Sequence, residues 1–255
     1  RMTADLPRDS LTRSAEDYLK AIFHLTADGH PASTSDLAAT LHLAPASVSG
    51  MLKRLAEQDL VQHELYRGVT LAPEGRRIAL KILRRHRLIE AYLVAHLGYS
   101  WDTVHEEAER LEHAVSDLLI ERMAKVLGDP LEDPHGDPIP GPDGSMAELV
   151  YTPLAEVEVG EEAEIRRVNT SHAERLRYIS GAGLTPGTRV QVTARQPFHG
   201  PITLRLGAHE QVIGHAIEVE DGRERRFEHQ VADAGESHLD FRATLARVKA
   251  MSCTK

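Results

Sequence analysis

Four side chains on one short stretch constrain this chain more than anything else in it: His105, Glu109, Glu112 and His113 fall at i, i+4, i+7 and i+8. At about 100° per residue, a helix through them gathers two imidazoles and two carboxylates within roughly a third of a turn. Val104, Ala108, Leu111, Val115 and Leu118 form an apolar stripe beside them, while Glu106, Glu107 and Arg110 point the other way. The pattern predicts one helix that opens at a Ser100 or Asp102 cap after Gly98 and runs to about Leu127. Its donor seam lies between a core face and a solvent face. The preceding helix adds His86 and Glu90 at i, i+4. Nitrogen and hard-oxygen donors so placed suit a divalent first-row metal. A solvated acidic helix face has the same spacing, so spacing alone leaves both readings open.

The N-terminal part carries a different signal. A helix starting near Thr12 or Ser14, with Glu16 and Asp17 in its first turn, buries Leu19, Ile22, Phe23 and Thr26. Ser35 leads a short second helix with Leu37, Ala38 and Leu41 inward, and Leu43–Ala44–Pro45 turns into a third, where Val48, Met51, Leu52 and Leu55 repeat at i, i+3, i+4, i+7. Two alternating runs flanking Tyr66–Arg67–Gly68 then read as a hairpin. Together these make a winged helix-turn-helix. Ala46, Ser47, Ser49 and Gly50 would face the major groove of double-stranded DNA, and Lys53, Arg54 and Arg67 would hold phosphates. The net charge of −9 excludes bulk electrostatic affinity for nucleic acid, so DNA binding has to come from this local surface.

From Pro73 a helix begins whose apolar positions spread over more than one face, as expected where it packs against several neighbours. After the seam helix comes the Pro- and Gly-dense loop Asp133–Gly141. The apolar surface of this middle block suits a homodimer, which a helix-turn-helix protein reading a palindrome needs. Short strands follow at 163–168, 189–193, 202–206 and 216–219, with a helix from about His172 to Ile179, so a small β-barrel is expected. The fold class is mainly α with small β parts. Four segments are expected: a winged helix-turn-helix at 1–75, a helical metal-binding and dimerisation block at 76–146, the barrel at 147–222, and a charged tail at 223–255, helical or disordered.

Other function classes fare poorly. No run of about 18 apolar residues exists and the N-terminal stretch is polar, so neither a membrane span nor a signal peptide is expected. The single cysteine, Cys253, allows no internal disulfide, which fits the cytoplasm. A zincin would need His-Glu-x-x-His, but His105–Glu106–Glu107–Ala108–Glu109 puts a glutamate where the second histidine belongs. No Ser or Cys nucleophile with a neighbouring base stands out, so no catalytic residue is expected. A winged-helix regulator sensing an organic ligand is the competing reading.

The order of these parts resembles the iron- and manganese-dependent repressors of the diphtheria-toxin-repressor type, including the manganese transport regulators. The resemblance spans about Ser10 to Glu220. It rests on Glu16–Asp17–Tyr18–Leu19, His86–Arg87–Leu88–Ile89–Glu90, Val104–His105–Glu106–Glu107–Ala108, Glu112–His113–Ala114–Val115–Ser116–Asp117, the loop Pro134–Gly141 and the Gly183–Leu184–Thr185–Pro186–Gly187 turn. It implies an SH3-like (FeoA-like) C-terminal barrel and a metal-activated repressor of metal-uptake genes. By motif, Asp17, Glu109, Glu112 and His113 would form the site controlling DNA binding. His86, Glu90 and His105 would form a companion site, and the SH3-like domain extends the expected donors to His172 and Glu174. Asp17 and Glu109 stand where iron-type members carry a thioether and a thiol, which favours Mn²⁺ with Fe²⁺ as the second candidate. Lys20 stands where manganese regulators with a close metal pair carry a glutamate, which favours two separated sites. Without metal, the crowded carboxylates are expected to repel and hold the domains in an open arrangement.

Overall fold

The computed structural model describes residues 11–64, 67–147, 151–170, 172–198 and 200–214, together with the backbone of 243–246. The first helix, α1 (Arg13–Leu25), is capped by Thr12, whose hydroxyl accepts from the Ala15 N–H. Leu19, Ile22 and Phe23 are buried as expected, but Thr26 caps the C-terminus, its hydroxyl donating to the Ile22 carbonyl at 2.8 Å instead of joining the core. The second helix, α2 (Thr34–Thr40), starts earlier than the Ser35 expected. Ser33 is the true cap and exchanges hydrogen bonds with Asp36 in a capping box. Helix α3 (Pro45–Glu57) begins with proline at its first turn and buries Val48, Leu52 and Leu55. Strands β1 (Val61–Glu64) and β2 (Gly68–Leu71) pair antiparallel as the wing, and Ala32 bridges to Val69 beside them.

Helix α4 (Pro73–Leu97) ties the molecule together. Its N-terminal half contributes Ala79, Leu80 and Leu83 to the core that holds Leu19, Ile22, Val48 and Leu52, while Leu88, Ile89 and Leu93 belong to a second core. The spread of its apolar residues over several faces follows from this double duty. Gly98, at φ +70°, ends it in the left-handed region that glycine enters freely.

The single seam helix expected after Gly98 is in fact two. Helix α5 (Val104–Leu111) has Thr103 at its N-cap with no side-chain bond, so neither Ser100 nor Asp102 caps it; the Ser100 carbonyl accepts from the Thr103 and Val104 N–H groups. The chain then turns, and Ser116 caps a new helix, α6 (Asp117–Val126), by accepting from the Leu119 N–H. The restart changes the helical phase. Val104 and Ala108 are buried as predicted, but Leu118 is 69% exposed, and Ile120 and Ala124 take the inward positions.

The C-terminal part is a six-stranded antiparallel sheet. Its strands are β3 (Thr152–Pro153), β4 (Glu162–Val168), β5 (Arg189–Arg195), β6 (Ile202–Leu206), β7 (His209–Ile213) and β8 (Ala243–Ala246), in the order β3-β8-β4-β5-β6-β7. Helix α7 (Ala173–Gly181) covers it with Leu176 and Ile179, against Ile165, Val192 and Leu204. Three predicted strands are present and β7 was not anticipated. The strand predicted at 216–219 and the tail, apart from 243–246, lie outside the described residues. Those four tail residues are a strand between β3 and β4, which corrects a helical reading there. No helix of the described residues is long and apolar enough to cross a membrane.

Candidate metal centre

Donors from four segments converge where α1, α4 and α5 meet. Helix α1 presents Glu16, Asp17 and Lys20, and α4 presents His86 and Glu90. Helix α5 carries His105 and Glu109 and ends at Glu112, its C-cap, so that His113 sits in the turn beyond. The loop after α6 brings Asp133 and His135. Among the described residues these donors fall into three groups able to hold an ion.

The first group is Asp17, Glu112 and His113. His113 Nε2 lies 2.8 Å from Asp17 Oδ1 and 3.2 Å from Glu112 Oε1, and Nδ1 donates to Glu16 Oε2 at 2.6 Å. Nε2 is buried between the two carboxylate oxygens. Protonated, that nitrogen ion-pairs with both carboxylates; deprotonated, the same three atoms make a ligand set for a cation. The second group is His86, His105 and Glu109. His86 Nε2 is 3.0 Å from His105 Nδ1, and Glu109 Oε1 is 3.7 Å from His105 Nε2. Glu109, expected with Asp17, thus stands with the two histidines.

The third group is Glu90, Asp133 and His135, of which the sequence reading found only Glu90. Asp133 Oδ1 accepts from the backbone N–H groups of His135 and Asp137, which closes the loop on itself. His135 Nε2 donates to the Trp101 carbonyl at 2.9 Å, and its ring stacks on the indole. That bond orients the ring so that Nδ1 lies 3.9 Å from Glu90 Oε2. The loop itself is clamped to β4. The Val168 N–H donates to the His135 carbonyl, and Gly136, at φ +85°, lies so close to the Arg166 carbonyl that a Cβ would sit 1.8 Å from it. The available signal was a histidine and two aspartates set among turn residues.

Charge compensation within the cluster overturns the expected mutual repulsion of its carboxylates. Lys20 Nζ donates to Glu109 Oε1 at 2.5 Å and to Glu112 Oε1 at 2.6 Å. Burial alone would lower the pKa of His86, but Glu90 and Glu112 outweigh it and raise it to about 9. His113 is raised to about 11 against its own burial by Asp17, Glu112 and Glu16. Burial pushes in the opposite sense on Glu112 and Glu90, yet His113 with His86 holds the first, and His86 with His105 the second, well below the usual carboxylate range. Asp133 behaves differently: burial, then the charges of Asp137 and Glu90, raise it to about 8 despite Arg87.

A cavity of about 710 Å³ connects the groups and is also lined by Asn169, Thr170, His172 and Arg175 of the C-terminal part. His172 therefore faces the site, though it joins none of the three groups, whereas Glu174 is exposed on the first turn of α7 and lines no part of the cavity. Ala46, Ser47, Ser49, Gly50, Lys53 and Arg54 are exposed along α3, and none of them lines the cavity. Exposed Arg67, at the wing, pairs with Glu64 at 3.2 Å.

Comparison with known proteins matches this architecture part by part. Residues 10–69 match the iron dependent repressor N-terminal DNA binding domain, residues 72–141 its metal binding and dimerisation domain, and residues 152–221 the FeoA domain. The iron-dependent repressor IdeR of Mycobacterium leprae is 31% identical over 229 residues, covering 83% of this chain and 99% of the relative. The diphtheria toxin repressor of Corynebacterium efficiens is 30% identical over 204 residues, 73% of this chain and 85% of the relative. Among solved structures, a manganese-dependent transcriptional repressor in complex with manganese is 41% identical with a TM-score of 0.71, covering 78% of this chain and 94% of that one. With three domains in register and a relative matched along nearly its whole length, the chain belongs to the iron- and manganese-dependent repressor family of the diphtheria-toxin-repressor type.

Proposed function

We propose that the chain is a manganese-responsive transcriptional repressor of metal-uptake genes, with Fe²⁺ as a second activator, that acts in the cytoplasm as a homodimer on palindromic operators. One observation carries the reading: Asp17, on a helix of the DNA-binding part, stands 2.8 Å from His113, which closes the donor helix of the dimerisation block. The ion-holding residues are Asp17, Glu112 and His113, then His86, His105 and Glu109, then Glu90, Asp133 and His135. When bound, a divalent cation would add its charge to that which Lys20, His86 and His113 already set among these carboxylates. Every donor is oxygen or imidazole nitrogen, a set suited to Mn²⁺ and Fe²⁺. Selectivity against later metals has to come from geometry and metal availability, since Mn²⁺ binds most weakly of the series.

The chain's own residues do the rest. Helix α1 shares a core with α3, since Leu19, Ile22, Val48 and Leu52 belong to one buried cluster. Fixing Asp17 against His113 therefore fixes the recognition helix, with Ala46, Ser47, Ser49 and Gly50 toward bases and Lys53, Arg54 and Arg67 toward phosphates. Leu118, Leu119 and Val126 are exposed together on α6, and this apolar face supports pairing with a second copy. The test is capture of genomic DNA fragments in parallel with Mn²⁺, Fe²⁺ and a chelator. Wild-type protein retains specific fragments only with metal, and Asp17→Ala loses that retention while staying folded and dimeric. Full metal-dependent retention by Asp17→Ala would refute the assignment.

A further inference from the structure

The ammonium of Lys20 sits where the cation chemistry of this centre is decided. Its Nζ bonds one oxygen from each of two donor groups, Glu109 Oε1 of the His86/His105 group and Glu112 Oε1 of the Asp17/His113 group. The Lys20 side chain is only 12% exposed, so this is a held position and not a surface contact. The oxygen it takes from Glu112 matters most. Glu112 is fully buried, and its other oxygen, Oε2, accepts from His86 Nδ1 at 2.5 Å. Oε1 is the oxygen that faces His113 Nε2, 3.2 Å away, and it is the one Lys20 occupies. An ion entering between Asp17, Glu112 and His113 must take that oxygen from the ammonium. An ion entering at His86, His105 and Glu109 must likewise take Glu109 Oε1.

We propose that Lys20 is a tethered competitor for the divalent cation, supporting the ion-free fold with its own charge and setting the metal concentration at which the centre fills. The proposal rests on the metal-centre reading above. Lys20 performs two opposed tasks. Without an ion, it neutralises two crowded carboxylates and lets α1 lie against α5. With an ion, it has to withdraw from at least one of them while its charge, which is not lost, repels the newcomer at short range. The length and flexibility of the lysine stem suit this, since the head group can swing into the adjoining cavity that Lys20 lines.

The experiment compares wild type, Lys20→Met and Lys20→Arg by direct Mn²⁺ titration, following the free-ion paramagnetic signal, and by thermal unfolding in chelator. Lys20→Met is expected to bind Mn²⁺ about tenfold or more tightly, because a repelling charge and a competitor leave together. In chelator the same variant should unfold at a lower temperature. Lys20→Arg restores the charge and should return both quantities toward wild type. If Lys20→Met does not fold without metal, Lys20→Gln makes the same comparison with a polar, uncharged side chain. Unchanged or weaker Mn²⁺ binding by a folded, uncharged variant overturns the competitor role while leaving the metal centre intact. Absence of Mn²⁺ uptake by wild type as well overturns the metal-centre reading and this proposal with it.

Discussion

Metal uptake by this centre should release protons, and the number should change with pH in steps that identify the groups. In the ion-free chain His86 is raised to about 9 and His113 to about 11, so both imidazoles carry a second proton at pH 7. Asp133, raised to about 8, is also mostly protonated there. A ligating imidazole has to be free at the bonding nitrogen and a ligating carboxyl has to be ionised. Filling all three groups at pH 7 should therefore expel close to one proton per ion. Above about pH 8 the Asp133 contribution fades, above about pH 9 that of His86 follows, and that of His113 persists. For each group still protonated, affinity rises about tenfold per pH unit, or about 1.4 kcal/mol. Titration calorimetry with Mn²⁺ in two buffers of different ionisation enthalpy, at pH 7 and again near pH 8.5, reads the proton count directly. A count near zero at pH 7 would refute the argument, because the imidazoles would then be neutral before the ion arrives. The same shifts fix the stability of the chelated protein. The raised imidazoles stabilise the fold fully below their unfolded value near 6.5, and that contribution is lost as pH rises through about 9 and about 11. Glu90 and Glu112, held low, stabilise it above their unfolded value near 4.5 and lose that contribution as pH falls. Asp133, raised by burial, works against the fold as pH climbs toward 8, so ion-free stability should peak between about pH 4.5 and pH 6.5.

Two further perturbations test the scaffold around the centre. Gly136→Ala places a Cβ 1.8 Å from the Arg166 carbonyl at a positive φ, so it should lift the Asp133–Asp137 loop off β4 and cost about 3 kcal/mol in denaturant unfolding; wild-type stability would contradict that close approach. Ser33→Ala removes the hydroxyl half of the capping box on α2, leaving the residue-33 N–H on Asp36, and should cost about 1 kcal/mol, seen as a lower thermal midpoint with unchanged Mn²⁺ affinity, since α2 supplies no donor.

The winged helix and most strands were legible because their signals are local. Val48, Leu52 and Leu55 repeat at helical spacing, and β4, β5 and β6 alternate with a period of two. The break after Leu111 was not legible. Leu111, Val115 and Leu118 continue a helical stripe on paper, and only the Ser116 cap, one residue among many hydroxyls, marks the restart. The centre divides along the same line. Donors on one helix at i, i+4 were found from spacing, and His86, His105 and Glu109 do stand together. Asp17 came only from the family resemblance, because nothing local relates α1 to a turn almost a hundred residues later. Asp133 and His135 have no periodic signal, since a loop closed by Asx hydrogen bonds places side chains without one. The role of Lys20 depends on two glutamates from α5 and its C-cap, a relation that exists only once the chain is folded.

That dependence on tertiary approach is what gives the proposed switch its coupling. Were all the donors carried by α5, an ion could bind with full affinity whatever the winged helix did, and the two parts would be energetically independent. Here the first group needs α1 and the end of α5 to be in contact, so part of the ion's binding free energy is realised only when they are. Because α1 and α3 share one core, the arrangement so favoured is a placement of the recognition helix. Reciprocity follows: DNA that prefers this placement must tighten the ion by the same factor by which the ion tightens DNA. Glu112 extends the linkage to the second group, since one oxygen faces His113 and the other accepts from His86. An ion held at His86 Nε2 would replace the second proton of the imidazole with a divalent charge while Nδ1 keeps its bond to Glu112, and so would change the charge that Glu112 faces. The two groups are therefore coupled through a single buried carboxylate, and filling one must alter the affinity of the other.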